Sequence, residues 1–80
     1  MKLSHSEIYR KLKFNISFAR KEQKLTQQQL ADKTGISRTH ISCIEAPNGT
    51  TVPSLAALID IANALDIPLS KLFDFKDFID

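Results

Sequence analysis

An all-α chain, folded as a compact five-helix bundle, is predicted by three features of the sequence. Ser4, Thr26, Ser37 and Ser54 stand at N-cap positions before helical patterns, and Ser4 and Thr26 have Glu7 and Gln29 three residues on, which makes capping boxes. Apolar residues recur every three or four positions, and no segment reads as a strand. Gly35, Pro47, Asn48-Gly49, Pro53 and Pro68 then break these patterns into separate elements.

The first helix is predicted to begin near His5 and run to about Lys24, with Ile8, Leu12, Ile16 and Ala19 as a buried stripe. Thr26 opens a short second helix with Leu30 and Ala31 inward and Gly35 as its left-handed stop. Ser37 caps a third, whose inner face is Ile41 and Ile44. Ala46 to Pro53 is a loop, because its Pro and Asn-Gly residues favour turns. Ser54 caps a fourth helix with Leu55, Leu58, Ile59, Ala62 and Leu65 at helical spacing, ended by Asp66-Ile67-Pro68. Pro68 or Leu69 starts a fifth through Leu72 and Phe73, with a continuation to Ile79 left open.

Eighty residues predict one domain over residues 1–80, with a small core that dimerisation would help. Net charge is only +2, but it is unevenly spread. Residues 1–40 hold nine Lys and Arg against three acids, a balance of +6, and residues 41–80 hold two against six, a balance of −4. Such a molecule can turn a basic face to a polyanion. No run approaches the roughly 20 apolar residues of a membrane span. The first residues lack the apolar stretch of a secretory signal, and Cys43 is the single cysteine, so a reducing cytoplasm is the expected location. His5 and His40 are far apart, which leaves no metal-ligand spacing. No paired-carboxylate, Ser/His/Asp, Cys/His or phosphate-cradling glycine signature is present, so neither an enzyme nor a cofactor is expected.

Residues 25–45 are the most informative, with the helix-turn-helix unit itself over 26–45. Two short helical patterns flank Gly35, with Ala31 four residues before it and Ile41 six after. That spacing fits two helices crossing steeply over a tight turn, an arrangement that presents the second helix to the DNA major groove. On these residues, together with Ile16, Arg20, Leu25-Thr26-Gln27, Gly35-Ile36-Ser37, Ile44-Glu45, Pro53-Ser54-Leu55 and Leu65 to Phe73, residues 16–73 resemble the Cro/phage-repressor (XRE) helix-turn-helix family. The resemblance implies a lambda-repressor-like fold and a sequence-specific, double-stranded-DNA-binding transcriptional regulator, with repression the expected sign. The segment Arg38-Thr39-His40-Ile41-Ser42 also resembles the recognition segment of restriction–modification controller proteins, where an aromatic usually stands at the position of His40. An antitoxin or controller protein that also binds a partner protein is therefore the alternative.

The third helix turns Ile41 and Ile44 inward and Thr39, Ser42 and Cys43 outward, with Arg38 and His40 on the flanks. Arg38 is the first candidate reader, because a guanidinium can bridge O6 and N7 of guanine. Thr39 can meet base edges or a thymine methyl, while Ser42 and Cys43 are small enough for close approach. Ser37 is read as a cap that can also meet phosphate. The resemblance gives Gln27 a phosphate contact, which the positive end of the second helix supports. It further implies that Arg20 and Glu45 form a buried ion pair. The loop after Glu45 departs from the family in having no cation, so Asn48, backbone amides and threonine hydroxyls are its candidate phosphate ligands and a shallow salt dependence is expected.

Phe14 and Phe18 form an i, i+4 pair away from the buried stripe, and Phe75, Phe78 and Ile79 give the chain an apolar end. They pack either within one chain or between chains. If residues 68–79 contribute to a two-fold homodimer, two recognition helices would lie about 34 Å apart on a pseudo-palindromic operator. No small-molecule effector domain is expected within these 80 residues.

Overall fold

A computed structural model describes residues 2–75, and among them the chain is all-helical: α1 (His5–Glu22), α2 (Gln27–Thr34), α3 (Arg38–Glu45), α4 (Leu55–Ala64) and α5 (Leu69–Leu72). Four helices begin where a hydroxyl caps them. Ser4, Thr26, Ser37 and Ser54 accept hydrogen bonds from the amides of Glu7, Gln29, His40 and Ala57. The first two close full capping boxes, so two otherwise unpaired amides are satisfied at each start. The Ser4 hydroxyl and amide both donate to Glu7 and hold its carboxyl below the ordinary carboxylate range.

The helices stop by two devices. Gly35 ends α2 with φ +77°, and a Cβ there would meet nothing within 4 Å, so the backbone conformation rather than space calls for glycine. α1 and α4 end in Schellman motifs that place Lys24 (φ 58°) and Asp66 (φ 54°) in the left-handed region. In the first, the amides of Leu25 and Lys24 donate to the carbonyls of Arg20 and Lys21; in the second, those of Ile67 and Asp66 donate to Ala62 and Asn63. The first motif stops α1 at Glu22, a little short of Lys24.

Every helix sends at least one fully buried side chain to a single core: Ile16, Leu30, Ile41 and Ile44, Ile61 and Leu72, with Leu65 just past α4. Each such side chain contributes about 1.5–3 kcal/mol through burial. The stripe on α1 is Leu12, Ile16 and Ala19, while Ile8 is only half-buried. On α4 the spacing is helical, and its apolar residues divide: Leu58, Ile61 and Ala62 are buried, whereas Leu55 and Ile59 are exposed. α5 is one short turn, and Phe73 to Phe75 lie beyond it. Asn15 on α1 donates to the carbonyls of Leu72 and Asp74 and so ties that end to the first helix. The expected continuation through Phe78 to Ile79 lies outside the described residues. Phe75 packs on the core and edge-on against Phe73, whereas Phe14 and Phe18 stack on each other at the surface. No helix among the described residues is long and apolar enough to cross a membrane.

Candidate nucleic-acid interface

α3 is a two-sided helix. Ile41 and Ile44 are fully buried, while Ser37, Arg38, Thr39, His40, Ser42 and Cys43 are all exposed. At 100° per residue, Arg38, Ser42, Thr39 and Cys43 fall in one continuous stripe, with His40 between Cys43 and the buried side. The Ser37 hydroxyl is engaged as the cap and accepts from the His40 amide at 3.1 Å. Thr34 braces the turn: its hydroxyl donates toward the carbonyls of Leu30 and Ala31 and accepts from the Ile36 amide.

The far end of α3 is fixed by two cations from α1. Arg20 grips Glu45 through both carboxylate oxygens, Nε to Oε2 and Nη2 to Oε1, each at 2.8 Å, and its Nη1 donates to the Leu25 carbonyl. Both side chains of the pair are buried. Two turns earlier on the same helix, Lys13 is buried to 2% exposure and its ammonium donates to the Cys43 carbonyl at 3.3 Å. Burial pushes the Lys13 amine below the ordinary lysine range. A cation at the carbonyl end of a helix also meets the negative end of its dipole. Sequence reasoning passed over Lys13, because a lysine interrupting an apolar stripe reads as solvated. Its position one residue after Leu12 and seven before Arg20 was the available signal.

Gln27 stands at the start of α2, half-buried, with its amide donating to Glu45 Oε1 at 3.2 Å. It is thus joined to the same buried pair. Gln28 is exposed and bonded to Asp32. Asn48 is exposed in a turn closed by the Gly49 amide on the Ala46 carbonyl, with Pro47 and Asn48 at its centre. Arg38, Thr39, Ser42 and Cys43 therefore share one surface. Asn48 lies on the following loop, and Arg20 and Glu45 sit beneath the surface as its support. Among the described residues no group of His, Cys, Asp and Glu can hold a metal ion.

Comparison with known proteins agrees with this geometry. A family profile described as helix-turn-helix matches residues 16–72. An uncharacterized helix-turn-helix transcriptional regulator of Bacillus subtilis is 43% identical over 72% of the chain and 48% of its own length. The immunity repressor protein of Bacillus phage phi105 is 44% identical over 71% of the chain and 38% of its own length. The chain thus spans less than half the length of these curated relatives. The crystal structure of a restriction–modification controller protein from Aeromonas hydrophila superposes with a TM-score of 0.76 at 28% identity, covering 86% of this chain and all of that one.

Proposed function

The chain belongs to the helix-turn-helix family of the Cro/phage-repressor type, and on that premise we propose that it is a sequence-specific transcriptional regulator, a repressor, that inserts α3 into the major groove of double-stranded DNA. The observation that supports this best is the exposed stripe Arg38, Thr39, Ser42 and Cys43 on a helix whose opposite side is sealed in the core and whose last turn is pinned by Arg20 and Lys13. A rigid helix presenting small and hydrogen-bonding side chains is what direct reading of base edges requires. Arg38 reads guanine, Thr39 and Ser42 meet neighbouring edges, His40 flanks them, and Cys43 allows close approach. Gln27, Ser37 and Asn48 meet the phosphates on either side. Two copies bind a pseudo-palindromic operator, each placing one α3 in a half-site.

Selection of binding sites from a random duplex pool tests this directly, since it reports binding, half-site symmetry and spacing together. Arg38→Ala is expected to relax preference at one base position and cost about 1–3 kcal/mol, whereas Gln27→Ala weakens all duplexes alike. Equal losses on selected and random duplexes for both variants would remove the assignment of readers and positioners. The full-length match to the controller protein from Aeromonas hydrophila supports a second reading, in which regulation serves a restriction–modification system. A restriction enzyme encoded beside this chain, with the selected site in its promoter, would decide for it.

A further inference from the structure

We propose that a groove between α1 and the end of α3 is a second seat for the DNA backbone, in which Arg10 and Lys21 hold phosphates and Phe14 and Phe18 pack on the sugars between them. This rests on the DNA-binding reading and extends it to a face of α1 that the helix-turn-helix does not use. The groove has a volume of about 750 Å³, with Arg10, Phe14, Phe18 and Lys21 on one wall and Ser42 and Pro47 on the other. The α1 residues recur at helical spacing and so form one stripe, and Arg10 and Lys21, eleven positions apart, are separated by about 16 Å along the axis. A DNA strand presents one phosphate per roughly 3.4 Å of duplex axis, so the stripe is long enough to meet more than one.

Charge and surface chemistry point to the same occupant. Arg10 and Lys21 are both exposed. The acid nearest Arg10 in sequence, Glu7, interacts with it across one helical turn but is not part of the groove lining. Glu45 on the groove floor is neutralised by Arg20. Arg10, Lys11, Arg20 and Lys21 line the groove against Glu45 alone, so the lining is net positive. Between the cations lie two phenylalanine rings, 56% and 53% exposed, stacked with centroids 6.0 Å apart, and the Lys11 ammonium sits 4.9 Å over the Phe14 ring. A sugar–phosphate strand alternates anionic and apolar groups in just this manner. An acidic amphipathic protein offers similar chemistry. The duplex is favoured because the groove also contains Ser42, which belongs to the proposed reading face, and Gln27, a proposed phosphate contact. The groove further supplies what the loop from Ala46 to Val52 lacks, since that loop has no cation of its own.

The test is the salt dependence of duplex binding by the whole chain. Arg10→Gln/Lys21→Gln is expected to reduce the slope of log K against log salt by about 1.8, the release of two counterions, on selected and random duplexes equally. Phe14→Ala/Phe18→Ala is expected to weaken both at unchanged slope. Lys71→Gln, outside the groove, leaves slope and affinity as they were. An unaltered slope in the double glutamine variant, while Arg38→Ala still relaxes base preference, would overturn the groove and leave the recognition helix standing. So would an unaltered slope accompanied by lost binding of an acidic helical peptide, which would make the occupant a protein. If the wild-type chain binds no duplex at all, both readings fall together.

Discussion

Arg20 uses three of its donors inside the fold, two on Glu45 and one on the Leu25 carbonyl, and the Gln27 amide is a third donor to Glu45. A pair this enclosed is not a large net source of stability, since desolvation offsets much of the attraction. Breaking it is another matter. Arg20→Ala leaves Glu45 as a buried anion with only an amide beside it, and is expected to cost about 3–5 kcal/mol in urea denaturation. Arg20→Met/Glu45→Leu, which removes both charges and keeps the volume, is expected to recover most of that loss. A double variant no more stable than Arg20→Ala would mean that packing, rather than the unpaired charge, sets the cost. The family resemblance supplied this pair, whereas residue types alone placed the two side chains only near enough to reach. Lys13 could not be anticipated that way. Its partner is a backbone carbonyl thirty positions away, and backbone carbonyls are not written in the alphabet of side chains.

α3 has eight residues, too few to hold as an isolated helix in water. It is kept by its ends: Ser37 at the start, and Lys13 and Arg20 at the finish. The charge on Lys13 gives this arrangement a pH signature. Its amine is lowered in the folded chain while the unfolded value stays near 10.5, so between the two the unfolded chain binds more protons. Stability contributed by this site therefore rises as pH increases through that window. Denaturation from pH 7 to 10.5 is expected to show the stability of the wild type rising relative to Lys13→Met, and a flat difference would mean the ammonium is not desolvated. Helix starts were readable because a capping box is local, needing only Ser4 with Glu7 or Thr26 with Gln29. The stop of α1 is reached two residues before the expected Lys24, which occupies a left-handed position where a glycine would have announced itself, whereas Asp66-Ile67-Pro68 does mark the end of α4. The side of α4 that faces the core is not legible in the sequence for a different reason. Leu55, Leu58, Ile59, Ile61, Ala62 and Leu65 surround most of the helix, so spacing fixed its type without saying which side faced the core.

That phase has a consequence for the assembly. With Ile61 inside, Leu55 and Ile59 are left 62% and 42% exposed along one side of α4, and Val52 in the loop before it is 47% exposed. Residues 1–40 supply the cations of the proposed DNA surfaces, Arg10, Lys21 and Arg38. α4 and the described residues after it carry Asp60, Asp66 and Asp74 against Lys71, so that side would be repelled by a duplex and is better placed away from it. A two-fold contact through this apolar side would satisfy both conditions, since the same patch meets itself and each α3 can face a half-site. The expectation that residues 68–79 contribute to the dimer falls from residue 76 onward outside the described residues, whereas Leu55 is at hand for a test. Leu55→Asp places a like charge on both sides of a self-complementary contact, and is expected to sediment as a single chain at high micromolar concentrations where the wild type sediments as a pair. It should also lose the preference for two half-sites spaced by one helical turn, about 34–36 Å, while a single half-site is bound as the wild-type monomer binds it. If Leu55→Asp still pairs, the dimer uses another face. If the wild type is itself a single chain both in solution and on the two-half-site duplex, the palindromic operator must be abandoned while the reading helix is kept.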